Sequence, residues 1–131
     1  MPLVHFDSSA LVKLVLDEPG SDFVAPLWNA CDAALWSRLA YPEVCAALAA
    51  ARRNHDLTAY AATVAAAEWE TFWSSVRPIE LTADIERSAG LLAARHQLRG
   101  ADAVHLASAL ALGSPEVIVR WWAEQTRMPT L

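Results

Sequence analysis

Three acids in this chain occupy positions from which side-chain chemistry is possible. Asp7 follows directly on the short apolar run Leu3 to Phe6, Glu43 lies in the opening turn of an Ala-rich stretch, and Asp102 starts a segment that is apolar almost throughout. Carboxylates that meet at a sheet edge repel one another in a low-dielectric site, which favours either proton uptake or capture of a hard cation. Oxygen donors suit Mg2+ or Mn2+. Such ions activate water, polarise a phosphoryl oxygen and stabilise a leaving oxygen, which together make a coherent chemistry for phosphodiester hydrolysis.

Each acid also has an ordinary explanation. Asp7 reads equally as a helix N-cap, and Glu43 as a charge favoured by the dipole at a helix start. Asp102 is harder to dismiss, because the segment Ala101 to Leu112 contains no other formal charge at neutral pH and is expected to be buried. A carboxylate there loses solvent at a cost of several kcal/mol unless a cation or good hydrogen bonds compensate. The three residues are far apart in sequence, so spacing alone does not bring them together.

The elements that must position them can be read in order. Leu3 to Phe6 predicts a strand buried on both faces and ending at Asp7. A helix follows, with Leu11, Val12, Leu14, Val15 and Leu16 apolar and Lys13 left for the exposed side, until Pro19-Gly20 stops it. Ser21 to Ala30 predicts a second short helix and Ala33 to Ser37 a second strand. Tyr41-Pro42-Glu43 opens a helix through Arg53, with proline in the first turn where its missing N–H costs little. After the break at Asn54-His55-Asp56, Thr58 caps a helix to about Trp73, and Pro78 to Leu81 reads as a third strand. Thr82 starts a helix to about His96, Arg99-Gly100 separates it from the helix over Ala101 to Leu112, and Glu116 to Val119 reads as a fourth strand. Strands and helices alternate, so the expected class is α/β, a parallel sheet of about four short strands flanked by helices.

With 131 residues, of which 55% are hydrophobic, the chain predicts one domain, 1–131, with a packed core. No apolar run approaches the roughly 20 residues that span a bilayer, so the expectation is a soluble, cytoplasmic protein without a membrane partner. Cys31 and Cys45 form no CxxC pair and read as buried thiols. A formal charge of −5 argues against a long non-specific grip on nucleic acid, although ions bound to carboxylates would reverse the local field. His5, His55, His96 and His105 share no metal-like spacing and read as packing or surface residues. Arg52, Arg53, Arg95 and Arg99 read as solvated residues near helix ends, and Trp28, Trp36, Trp69 and Trp73 as core or interface aromatics.

The residues Phe6-Asp7-Ser8-Ser9-Ala10-Leu11-Val12-Lys13-Leu14 resemble the opening of VapC-type PIN domains. Ser37, followed by Tyr41-Pro42-Glu43-Val44, is similar to that family's serine-then-glutamate segment, and Leu98 to Ala109, containing Gly100-Ala101-Asp102-Ala103, resembles its next acidic helix. The pieces keep their order across roughly residues 3 to 119. What the resemblance implies is a three-layer PIN-like fold and a metal-dependent endoribonuclease, usually the toxin of a VapBC pair, inhibited by a VapB-type antitoxin and commonly homodimeric. It implies that Asp7, Glu43 and Asp102 bind Mg2+ or Mn2+ for attack on an RNA phosphate, leaving a 5′-phosphate and a 3′-hydroxyl. Ser8 and Ser37 are candidates for hydrogen bonds that support the acids, with a turn or cap role as the alternative.

The chain departs from the family pattern near its C-terminus. Where the family carries Thr-x-Asp after the last strand, this sequence has Arg120-Trp121-Trp122, so the fourth acid is replaced at Trp122, and Glu124 could substitute only with a register change. The expected C-terminus is shortened, leaving Trp121 and Trp122 exposed or pressed into a partner. The competing expectation is therefore a degenerate PIN domain acting as a non-catalytic binding module. A phospho-acceptor receiver domain fits poorly, because Asp7 is followed by Ser8 rather than by a second acid and Lys13 is the chain's single lysine.

Overall fold

The computed structural model describes residues 3–111 and 117–119. Its centre is β1 (Leu3–Phe6), a strand whose Val4, His5 and Phe6 are wholly buried, as a parallel strand covered on both faces must be. β1 pairs in parallel with β2 (Ala33–Leu35) on one side and with β3 (Val117–Val119) on the other, giving the order β2-β1-β3. The crossover from β1 to β2 contains α1 (Ser8–Val15) and α2 (Ser21–Ala30). That from β2 to β3 contains α3 (Ala40–Arg53), α4 (Ala59–Ser74), α5 (Ala83–His96) and α6 (Gly100–Ala111). The α/β class with a parallel sheet is as expected, and among the described residues no helix is long and apolar enough to cross a membrane.

Of the four expected strands, Pro78 to Leu81 shrinks to an isolated parallel bridge, Ser37 to Ile79, beside β2. Ile79 N–H donates to Trp36 O at 2.8 Å and Arg38 N–H to Ile79 O at 2.9 Å. The pairing stops there because the partner chain turns at Ser37 to enter α3, with Ala40 N–H already bonded to Ser37 O at 3.0 Å. Pro78 also has no N–H to extend the ladder.

Local chemistry sets the helix boundaries. Thr58 and Thr82 cap α4 and α5 through their hydroxyls, accepting from Ala61 N–H and Ile85 N–H. Gln97, in the left-handed region with φ 54°, ends α5. The main core lies between β1 and α1 to α4 and is rich in aromatics: Phe6, Trp28, Trp36, Trp69, Phe72 and Trp73 form a continuous series of ring contacts, with centroids 5.2–5.9 Å apart. Trp69 and Trp73 do share a helix face. A second, smaller cluster joins α5 to α6 through Ile85, Ala89, Ala103 and Ala107, where three alanines allow close approach.

Two expectations about α1 and the thiols need correction. Lys13 is buried rather than exposed, 8% accessible, because α2, α3 and α4 all pack on α1; its ammonium emerges to meet Glu18 at 2.7 Å. Cys31 and Cys45 are half-buried free thiols, both at the margin of the main core rather than inside it. The readings of Arg120, Trp121, Trp122 and Glu124 fall outside the described residues.

Candidate active site

Asp7 ends β1 and caps α1. Its Oδ1 accepts from Ala10 N–H at 3.1 Å and from the Ser9 hydroxyl at 2.9 Å, and the residue is 4% accessible. The ordinary cap reading is thus correct as far as it goes, and it leaves a carboxylate held at the carboxyl end of the central strand, where open α/β sheets bind ligands.

Glu43 lies in the first turn of α3 and connects the other elements. Its Oε1 accepts from the Ser8 hydroxyl at 2.9 Å, which ties it to the residue beside Asp7. The same oxygen lies 2.5 Å from Nε2 of His105, one turn along α6 from Asp102. Burial works against charge on Glu43, but the hydrogen bonds and field of His105, helped by Ser8, outweigh it and hold the carboxyl below its ordinary range, while the nearby Asp102 charge pushes the other way. Asp102 occupies the first turn of α6, mostly covered, and takes an ion pair from the exposed Arg99 at 3.3 Å.

The starts of α1, α3 and α6 therefore meet around Glu43, and their positive dipole ends favour anionic side chains or an anionic ligand there. Ser37 plays the local role: its hydroxyl accepts from Leu39 N–H at 3.1 Å as the chain enters α3. Ser8, by contrast, supports an acid directly.

A hard divalent cation is the group this chemistry implies. The acids offer carboxylate oxygens, Glu43 is held ionised, and Asp102 repels it, a strain that a cation between them would relieve. The residues fit such an ion in donor type. Among the described residues, however, no group of three or more His, Cys, Asp and Glu side chains is gathered closely enough to form a ready-made cage.

His105 fits its reading as a packing residue and adds a contact with an acid that the reading did not include. It is packed, 2% accessible, yet it also reaches across from α6 to Glu43. The signal was present in the sequence: His105 is three residues after Asp102 and shares its helix face, the only polar ring in an otherwise apolar helix. His5 stands behind it on β1, with ring centroids 6.3 Å apart in an edge-to-face arrangement. Burial first, and then the neighbouring His105, pushes His5 down to about 3, so it is neutral at ordinary pH.

A buried parallel strand ends in an acidic cap, and two more acids stand on helix starts around it. The chain belongs to the PIN-domain family, whose model matches residues 4–120, and within it to the VapC type. It is 62% identical over 122 residues, 93% of this chain and 85% of the relative, to Ribonuclease VapC45 of Mycobacterium tuberculosis (strain CDC 1551 / Oshkosh). Ribonuclease VapC49 of Mycobacterium tuberculosis (strain ATCC 25618 / H37Rv) matches with the same identity and the same coverage.

Proposed function

We propose that this chain is an endoribonuclease toxin that hydrolyses RNA phosphodiester bonds using Mg2+ or Mn2+ held by Asp7, Glu43 and Asp102. One observation carries the reading: Glu43 accepts from the Ser8 hydroxyl, beside Asp7, and bonds His105, one turn along α6 from Asp102, so the helices that carry the other two acids meet at one carboxylate. The relatives named ribonucleases, identical at 62% of aligned positions, support the same activity. When bound, the ion supplies Lewis acidity toward water and phosphate and offsets the charge of the scissile phosphodiester.

In this reading the three acids hold the ion, and the helix starts beneath them favour the approaching phosphate. Asp7 is fixed as an acceptor by its cap bonds, so its charge is oriented without reorganisation during the reaction. The same reading carries a single domain over 1–131, a VapB-type antitoxin as inhibitor, a homodimer and a cytoplasmic location. Purified protein incubated with a structured RNA pool tests it. Cleavage is expected with Mn2+ or Mg2+, and is expected to be lost with EDTA and with Asp7→Asn; metal-independent cutting, or cutting unchanged in Asp7→Asn, would reject it.

A non-catalytic binding module is the second reading. It is favoured by the ion pair that Arg99 makes with Asp102 at 3.3 Å, which already engages one of the three acids. Turnover that disappears on Asp102→Asn would count against it.

A further inference from the structure

A histidine inside an apolar helix is costly unless its polar atoms are used. The α6 segment Ala103 to Ala109 is buried at every position except Val104, and a leucine or phenylalanine would fill the space of His105 without carrying two nitrogens into it. Among the described residues, Nδ1 of His105 finds no hydrogen-bond partner, and neither nitrogen of His5 behind it finds one. Within the described residues, the one hydrogen bond of this buried imidazole pair runs from His105 Nε2 to Oε1 of Glu43. Three buried ring nitrogens without a partner among the described residues are more than packing alone explains.

The geometry of Glu43 gives that bond a purpose. Oε1 is occupied twice, by Ser8 from α1 and by His105 from α6, while Oε2 takes no hydrogen bond from any described residue. Two donors on one oxygen fix the carboxylate's rotation and leave the second oxygen uncommitted. With Nε2 donating to Glu43, the His5 ring packed edge-on behind His105, centroids 6.3 Å apart, backs the imidazole and holds it against the carboxylate.

We infer that His105 is a positioning residue for the catalytic carboxylate: with Ser8 it clamps Oε1 of Glu43, so that Oε2 is the oxygen offered to the divalent cation. The inference rests on the ribonuclease reading above and assigns a role that reading does not contain. Hydrogen-bonded partners of ligating carboxylates typically change metal affinity or activity by about 10- to 100-fold when removed.

The test compares wild type with His105→Phe, which keeps the ring volume and deletes the donor, and with His105→Gln, whose amide can return an N–H near the Nε2 position. Ser8→Ala removes the other clamp without touching the buried helix, so the test does not depend on the folding of a core variant. Mn2+ titrated into the apo protein by calorimetry should bind about 10- to 100-fold more weakly to His105→Phe, less weakly to Ser8→Ala, and with partial recovery in His105→Gln. RNA cleavage should fall through kcat with KM for RNA little changed, because the clamp touches the ion's ligand and not the substrate. In 15N-imidazole NMR, the His105 Nε2 resonance should shift on Glu43→Gln.

Equal Mn2+ affinity and equal kcat in wild type, His105→Phe and Ser8→Ala would overturn the positioning role while leaving the ribonuclease reading intact. A wild-type chain that binds Mn2+ tightly through the clamped Glu43, yet cuts no RNA, would overturn the ribonuclease reading while the affinity differences still upheld the clamp.

Discussion

The aromatic core between β1 and helices α1 to α4 and the acidic pole around Glu43 use burial in opposite ways. In the core, Trp69 is 1% accessible, stacks on Phe72 and Tyr41 and meets Trp73 at a tilt, and even its indole Nε1 goes without a partner among the described residues, because the apolar area removed from water outweighs one lost hydrogen bond. At the acidic pole, burial opposes the charge on Glu43, and the hydrogen bonds from His105 and Ser8, with the field of His105, sustain it. One region gains stability from contact area, while the other spends some of it to hold carboxylates near one another. Changes to the core should therefore alter folding with little effect on chemistry per folded molecule, and changes at the pole should do the reverse.

The sharpest way to break this contrast is Asp7→Asn. Asparagine caps a helix about as well as aspartate, so the α1 cap survives while the charge is lost. RNA cleavage is expected to fall to background, with the thermal midpoint within a few degrees of wild type; a large fall in stability would mean that Asp7 serves the fold first. Trp69→Ala probes the other side. It should cost about 3–5 kcal/mol in urea unfolding, as deletion of a buried aromatic does, while kcat measured on the folded fraction stays near wild type.

His5 joins the two regions, since it lies in the core strand and faces the pole. Its folded value is depressed to about 3, mainly by burial, whereas the unfolded chain titrates near 6.5. Between those values the unfolded chain binds a proton that the folded chain does not, so this stability contribution is present above pH 6.5 and lost as pH falls. Wild type is expected to lose about 2 kcal/mol between pH 7 and pH 5 relative to His5→Phe, measured as urea midpoints of the ion-free protein. Equal slopes would show that the strand accommodates a charged ring. The smallest effect should come from Glu80→Gln, which breaks the exposed Arg38–Glu80 pair beside the Ser37 bridge. A urea midpoint within error of wild type and no change in cleavage are expected, because solvent screens that pair.

Much of the positioning was legible in the chain itself. The β1 run, the caps at Thr58 and Thr82, the helix starts that carry Glu43 and Asp102, and the break at Asn54-His55-Asp56 all follow from local chemistry. Errors arose where a distant partner decides the outcome. Lys13 looks like the polar residue of an amphipathic helix, and it is buried because three other helices close over α1 and Glu18 meets its ammonium. Pro78 to Leu81 has the composition of a strand, and it is limited to one bridge because its partner leaves the sheet at Ser37.

The candidate site divides along the same line. Sequence by itself determined that Asp7, Glu43 and Asp102 stand at element starts, since capping, helix dipoles and apolar periodicity act within a few residues. Only the tertiary structure decided that Ser8 and His105 bond to one oxygen of Glu43, partners 35 and 62 residues away from it. Local propensity acts over one or two helical turns, whereas a hydrogen bond between α6 and α3 exists only once the parallel sheet has brought their N-terminal ends together.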